Sequence, residues 1–423
     1  MVNYNYMKYI TEYAASLLLL LPLQLLAQET PVLPLDTILQ RIERNNVLLQ
    51  SFALKAESYK YTADAATAWM PPMVGVGTFM TPYPGQEIMD TRDKGNLMLQ
   101  IEQDIPNPAK LAAKKRFIAS QGNVDRATRD ITLNDLKSQA RRLYSNWLIA
   151  GKRISVLEEN EKLLVMMKKI EEVRYPYNQS PLGNVYKANA GIEENRNMIR
   201  MQQGEIAKAR AWLNSLMNAA GNDSFDIDTT YQPLFNPMTT YDTLALSGIR
   251  KDVFRMDESI RSMTLNIESM KMQKKPDFRI RYDNMYPLGS GMPTAFSIMG
   301  MATIPIAPWA SRMYKSEIKS MQLNIESMQK ERSAMLQETQ GMLYGMQYEI
   351  QTMQTRVKAT EDKVITALKQ ALDANFITYQ ENRMQLTQVI DSWEALTMMQ
   401  MTVLDDKLKL YEMIIEYEKA LYR

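Results

Sequence analysis

Methionine is the side chain here whose number and spacing could do chemistry. The chain holds 33 of them. Met321, Met328, Met335 and Met342 recur every seven residues, as do Met256, Met263 and Met270. Rows of thioethers could hold soft Cu(I) or Ag(I). The same side chain is a flexible filler of apolar cores, and a sustained seven-residue period marks a coiled-coil seam. The period favours packing, and a Met-based Cu(I)/Ag(I)-binding protein stands as the chemical alternative. The chain has no Cys and no His, which removes thiol nucleophiles, disulfides, thiolate sites and the commonest general base and metal ligand. Gly75-Val76-Gly77 lacks the third glycine of a dinucleotide loop, and there is no phosphate-binding GxxxxGK[ST] run. These absences argue against an enzyme and imply no cofactor.

The elements that position these residues occur twice. Each half carries a short helical run, two alternating segments and a very long helical run. Pro71 and Pro72 interrupt the first half, and Pro276 the second. Tyr175 and Asn178 punctuate one long run, Tyr379 and Asn382 the other, and both pairs lie 204 residues apart. The expected organisation is a signal peptide over 1–27, a first repeat over 28–217, a linker or equatorial segment over 218–242 and a second repeat over 243–423. The signal reading rests on Lys8, the leucines at 17–21 and the small residue Ala27. Without Cys, no cysteine-linked lipid anchor is expected.

The 423 residues are 45% hydrophobic with net charge +2, enough for a core and without the charge footprint of nucleic-acid binding. The Lys110, Lys114, Lys115, Arg116 cluster reads as a solvated helix start. The pattern predicts helices over 36–69, 109–174, 182–217, 243–274, 310–376 and 383–422, and strands over 73–83, 95–105, from 277 to 283 and through Phe296, Ile298 and Ile304. In the third strand Phe278, Ile280 and Tyr282 alternate with Arg279, Arg281 and Asp283. A membrane barrel around water gives that alternation, with the first set toward lipid and the second toward the lumen. A soluble hairpin with one wet face gives it equally. No apolar stretch after Ala27 reaches spanning length, so a membrane-spanning mature chain would need a closed barrel. Four strands cannot close one, whereas three copies would supply twelve.

The turns carry the most specific signal. Arg174-Tyr175 with Asn178, Asn184 and Val185, and Tyr379 with Asn382, Arg383, Gln388, Ile390 and Asp391, resemble the paired helical turns of the TolC family of outer-membrane efflux proteins. Asn178 and Asn382 stand where that family has glycine; Asn tolerates a left-handed turn next best. Ile105-Pro106-Asn107-Pro108 is similar to the strand-to-helix exit of the heavy-metal branch, with Asn107 in place of its tryptophan. The resemblance implies a mainly α chain whose long helical hairpins form a tunnel, and whose four strands complete a trimeric twelve-stranded outer-membrane β-barrel. It implies the exit duct of a tripartite pump, partnered by a periplasmic adaptor and an inner-membrane transporter. It makes Asp391, Gln388, Asn184, Tyr379, Arg383 and Tyr175 candidates for a periplasmic mouth, with hydrogen bonds among Asn184, Gln388 and Tyr379 holding it shut. Asn184 and Gln388 are amides where acids are usual, and Asp391 keeps its carboxylate. A periplasmic coiled-coil structural or adhesion protein without a pore is the rival reading.

Overall fold

A computed structural model describes residues 31–236, 240–305 and 307–422; the expected signal peptide lies outside them. The first half runs β1 (Val32–Leu33), α1 (Leu35–Asn45), α2 (Val47–Ala65), β2 (Met73–Phe79), β3 (Asn96–Ile105), α3 (Pro108–Arg174) and α4 (Leu182–Leu216). After β4 (Asp226–Ile227) the second half runs α5 (Thr243–Ile249), α6 (Lys251–Met272), β5 (Asp277–Pro287) and β6 (Ala295–Thr303). It continues with α7 (Pro308–Ala359), a π turn (Thr360–Ile365), α8 (Thr366–Gln380) and α9 (Leu386–Ala420). Among the described residues no helix is long and apolar enough to cross a membrane.

The repeat is closer than its punctuation suggested. The helices expected over 36–69 and 243–274 are each broken, at Asn46 and Arg250, which again lie 204 residues apart. Both residues are extended, with ψ 122° and 121°. Asn46 accepts the Leu48 and Leu49 amides at 3.1 and 3.4 Å, as a helix cap does. Its Nδ2 also donates to the Leu216 carbonyl at 3.0 Å, 170 residues away. Arg250 Nη1 donates to the Ala420 carbonyl at 3.2 Å, again 170 residues away. Each half thus ties its first helix break to the last carbonyls of its return helix. No proline marks either break, and a glycine, Gly248, precedes only the second, so local pattern did not locate the pair.

The long helices hold the molecule together along their length. The 67-residue α3 packs against α2, α4, α6 and α9. At Gly122 it passes so close to α2 that an added Cβ would meet the Ala56 carbonyl oxygen at 3.0 Å. The second long run carries the π turn that the periodicity did not predict. Pro108 and Pro308 open the two runs 200 residues apart, yet the turns that end them are 204 apart. The surplus falls in the run containing the π turn, a usual device for accommodating extra residues in a helix. One apolar core surrounds Ile38, Tyr144, Leu213 and Ile350, with Met335, Met346 and Met353 packed against it. A second core lies at the hairpin tips around Met167, Tyr379 and Val389.

The segment over 218–242, expected as a linker or equatorial element, is bound down over residues 218–236. β4 pairs in parallel with β1. Tyr231 meets Tyr144 edge-on at 5.4 Å, and Phe235 meets Tyr417 at 5.2 Å. These aromatics supply the buried area that turn-rich sequence lacks. At the other end the four remaining strands form one antiparallel sheet in the order β2-β3-β5-β6. β2 stops at Phe79, earlier than expected, because Met80 takes φ 53°.

Candidate functional site

At the hairpin tips the two punctuating asparagines adopt the left-handed conformation, with φ 56° at Asn178 and 60° at Asn382. Between them lies a carboxylate that spacing did not single out. Glu171 is 1% exposed. It accepts short hydrogen bonds from Tyr379 Oη and Ser180 Oγ, and a third from Asn184 Nδ2 at 3.1 Å. Arg174 lies 4.5 Å over the Tyr379 ring and donates to the Tyr379 carbonyl at 2.7 Å. One network therefore staples the first hairpin to the second. Burial, then the bond to Glu171, pushes the Tyr379 hydroxyl pKa up, so it remains a proton donor.

The expected bonds among Asn184, Gln388 and Tyr379 are not the ones formed. The Tyr379 hydroxyl and the Asn184 amide both turn to Glu171, because a buried carboxylate accepts more strongly than a neutral amide. Gln388 is exposed beside this network. An open cleft of about 670 Å³ brings Asn184, Tyr379, Arg383 and Gln388 together with Glu171 and Arg174. Asp391 and Tyr175 do not line it; both are exposed, Asp391 on α9 and Tyr175 just beyond α3. Arg383 contacts Glu381 at 3.4 Å. Glu171 lies in a run dense with glutamates, and only the fold distinguishes it from exposed Glu172.

The sheet is inside out. Register places Ile105 opposite Phe278, Gln103 opposite Ile280 and Ile101 opposite Tyr282, so these share one face with Val74, Val76, Phe296 and Ile298. That apolar face is exposed: Val76 is 72% accessible, Phe296 69% and Ile280 48%. The opposite face carries the ions. Arg279 reaches Glu102 at 2.7 Å and Asp104 at 2.6 Å, and Arg281 reaches Asp283 at 2.8 Å. Glu102 and Asp283 are buried. A sheet in water buries its apolar face; this one wraps around its charges.

No family model matches the chain, and no curated protein matches it. Solved structures do. CusC, from a study of its folding and transmembrane channel formation, superimposes with a TM-score of 0.72 at 16% identity, covering 92% of this chain and 91% of that one. The outer membrane protein VceC of Vibrio cholerae gives 0.67 at 15%, covering 92% and 95%. The open state of the Neisseria gonorrhoeae outer membrane channel MtrE gives 0.68 at 13%, covering 92% and 88%. Likeness at such identity shows the fold, and this chain has the fold of these solved outer-membrane channels, long helices joined to a small antiparallel sheet.

Proposed function

We propose that this chain is the outer-membrane exit duct of a tripartite efflux system. Three copies close a twelve-stranded barrel, and their hairpins extend into the periplasm to meet an adaptor and an inner-membrane pump. Duct and partners are read from the fold likeness and from the turn motifs. The observation that carries the reading is the exposed apolar face backed by buried ion pairs. The 11 residues of β5, at about 3.3 Å each and tilted by about 40°, reach roughly 25 Å, the height of a barrel's lipid-facing band. Phe278, Ile280 and Tyr282 then meet lipid, while Arg279, Arg281 and Asp283 line the lumen. Among the described residues, edge strands β2 and β6 have no second partner in one copy, and closure by neighbouring copies supplies it.

The tip cleft is the mouth in this reading, with Glu171, Tyr379 and Arg174 holding the hairpins together. Exposed Asp391 and Gln388 on α9 face the threefold axis and form rings of three, of which Asp391 provides the acidic one. The two repeats supply two hairpins per copy, delivered after removal of residues 1–27.

Single cysteines test the reading, since the chain has none of its own. In membrane-inserted protein a water-soluble thiol reagent is expected to label position 281 and spare position 280. The reverse pattern would place the sheet one residue out of register. Equal labelling at both positions would contradict a barrel in lipid.

A further inference from the structure

The collar between sheet and helices carries an excess of positive charge that the duct reading does not use. All four strands meet the helices at one end of the sheet, at Met73, Ile105, Asp277 and Thr303. Four acids there are already engaged, and Glu317 beside Lys315 is one without an ion pair among the described residues. Asp277 holds Lys110 at 2.5 Å, Asp64 holds Lys115 at 2.6 Å, Glu268 holds Arg116 at 3.4 Å, and Asp104 holds Arg279 at 2.6 Å. The predicted solvated cluster is thus mostly paired, and Lys114 is its free cation. Lys274, Arg312 and Lys315 are likewise exposed and without an ion pair among the described residues.

Lys114 also lines an open cavity of about 580 Å³ with Trp69, Met70, Leu111, Phe278 and Arg279, and the two acids in its wall, Asp104 and Asp277, are held by Arg279 and Lys110. Trp69 is 55% exposed, and Trp309, which opens α7 beyond the end of β6, is 81% exposed. Tryptophan favours the boundary between hydrocarbon and headgroups. The first turns of helix beyond the strands fall within about 10 Å of that boundary at 1.5 Å per residue. Lysine side chains can carry their charge across such a distance.

We propose that this cavity and its basic rim bind an anionic phospholipid of the leaflet facing the helices. The headgroup phosphate sits against Lys114, and an acyl chain runs up past Phe278. The inference rests on the membrane reading above. It deepens that reading, because charge, tryptophan and apolar wall are stacked in the order of a lipid's own parts. Juxtamembrane basic groups attract anionic lipid, and salt weakens the attraction.

The test is native mass spectrometry of the detergent-extracted full chain with phosphatidylglycerol or phosphatidylcholine. Phosphatidylglycerol should be retained about tenfold over phosphatidylcholine at low salt, with the preference collapsing at high salt. Lys114→Gln combined with Lys274→Gln and Lys315→Gln should abolish the preference, and the corresponding arginine substitutions should keep it. Excess inorganic phosphate should not displace the lipid; displacement would mean a simple anion site and overturn the proposal. Equal retention of both lipids by protein that inserts into phosphatidylcholine vesicles with the 281-over-280 labelling pattern would also overturn it, leaving the membrane reading standing. Failure to insert would remove both.

Discussion

Replacing Glu171 with alanine is expected to open the mouth. The substitution leaves Tyr379 Oη, Ser180 Oγ and Asn184 Nδ2 without their shared acceptor, and Arg174 without its nearby carboxylate. Hydrogen bonds to a charged group contribute about 1.5–3 kcal/mol each. Three copies together exceed the roughly 5.5 kcal/mol that moves a two-state element from 1:99 to 99:1. Planar-bilayer recordings should show a shift from rare, brief openings to a mostly conducting state. Tyr379→Phe keeps the ring beneath Arg174 and leaves Glu171 two donors, so it should give an intermediate increase. Unchanged conductance in Glu171→Ala would mean that this staple does not hold the closed state.

Arg279→Ala is expected to damage assembly. Glu102 would remain buried with only Gln100 Nε2 at 3.2 Å, and Asp104 would lose its partner. Removing one partner leaves the other charge without its counter-ion in a largely buried place, and because the Arg279 side chain is 43% exposed, solvent screens part of that cost. The heat resistance of the proposed trimer on gels should fall by many degrees. Arg279→Lys should restore part of it, since it keeps the charge but loses the fork that spans both acids. An Arg279→Ala trimer as heat-resistant as the wild type would show that the ion pairs contribute nothing to assembly.

Most of the architecture could be read from residue pattern, and the reasons are local. Proline cannot continue a helix, so Pro71 and Pro276 marked where helix gives way to strand. Alternation at Phe278 to Asp283 separated the two faces of β5 because strand side chains have period two, though pattern alone could not choose between lipid and a wet face. The breaks at Asn46 and Arg250 were hidden, since their partners are carbonyls 170 residues away. The packing of the 218–242 segment was hidden for a related reason. Its aromatics are spread among turn formers, and only tertiary packing reveals that Tyr231 and Phe235 are anchors. At the tips, the turn asparagines and Tyr379 were legible from their motif. Glu171 was not, because a carboxylate's role depends on what is folded around it. The methionine ladder illustrates the remaining ambiguity: its period indicated packing, yet among the described residues only Met335 of the seven lies against the core, and Met342 is 43% exposed.

Planar-bilayer recording of the purified full chain tests the central claim most directly. The account predicts discrete, ohmic conductance steps, rare in the wild type and frequent in Glu171→Ala, from protein whose mass in detergent is that of three copies. Protein that inserts stably yet conducts no ions, even as Glu171→Ala, would contradict it.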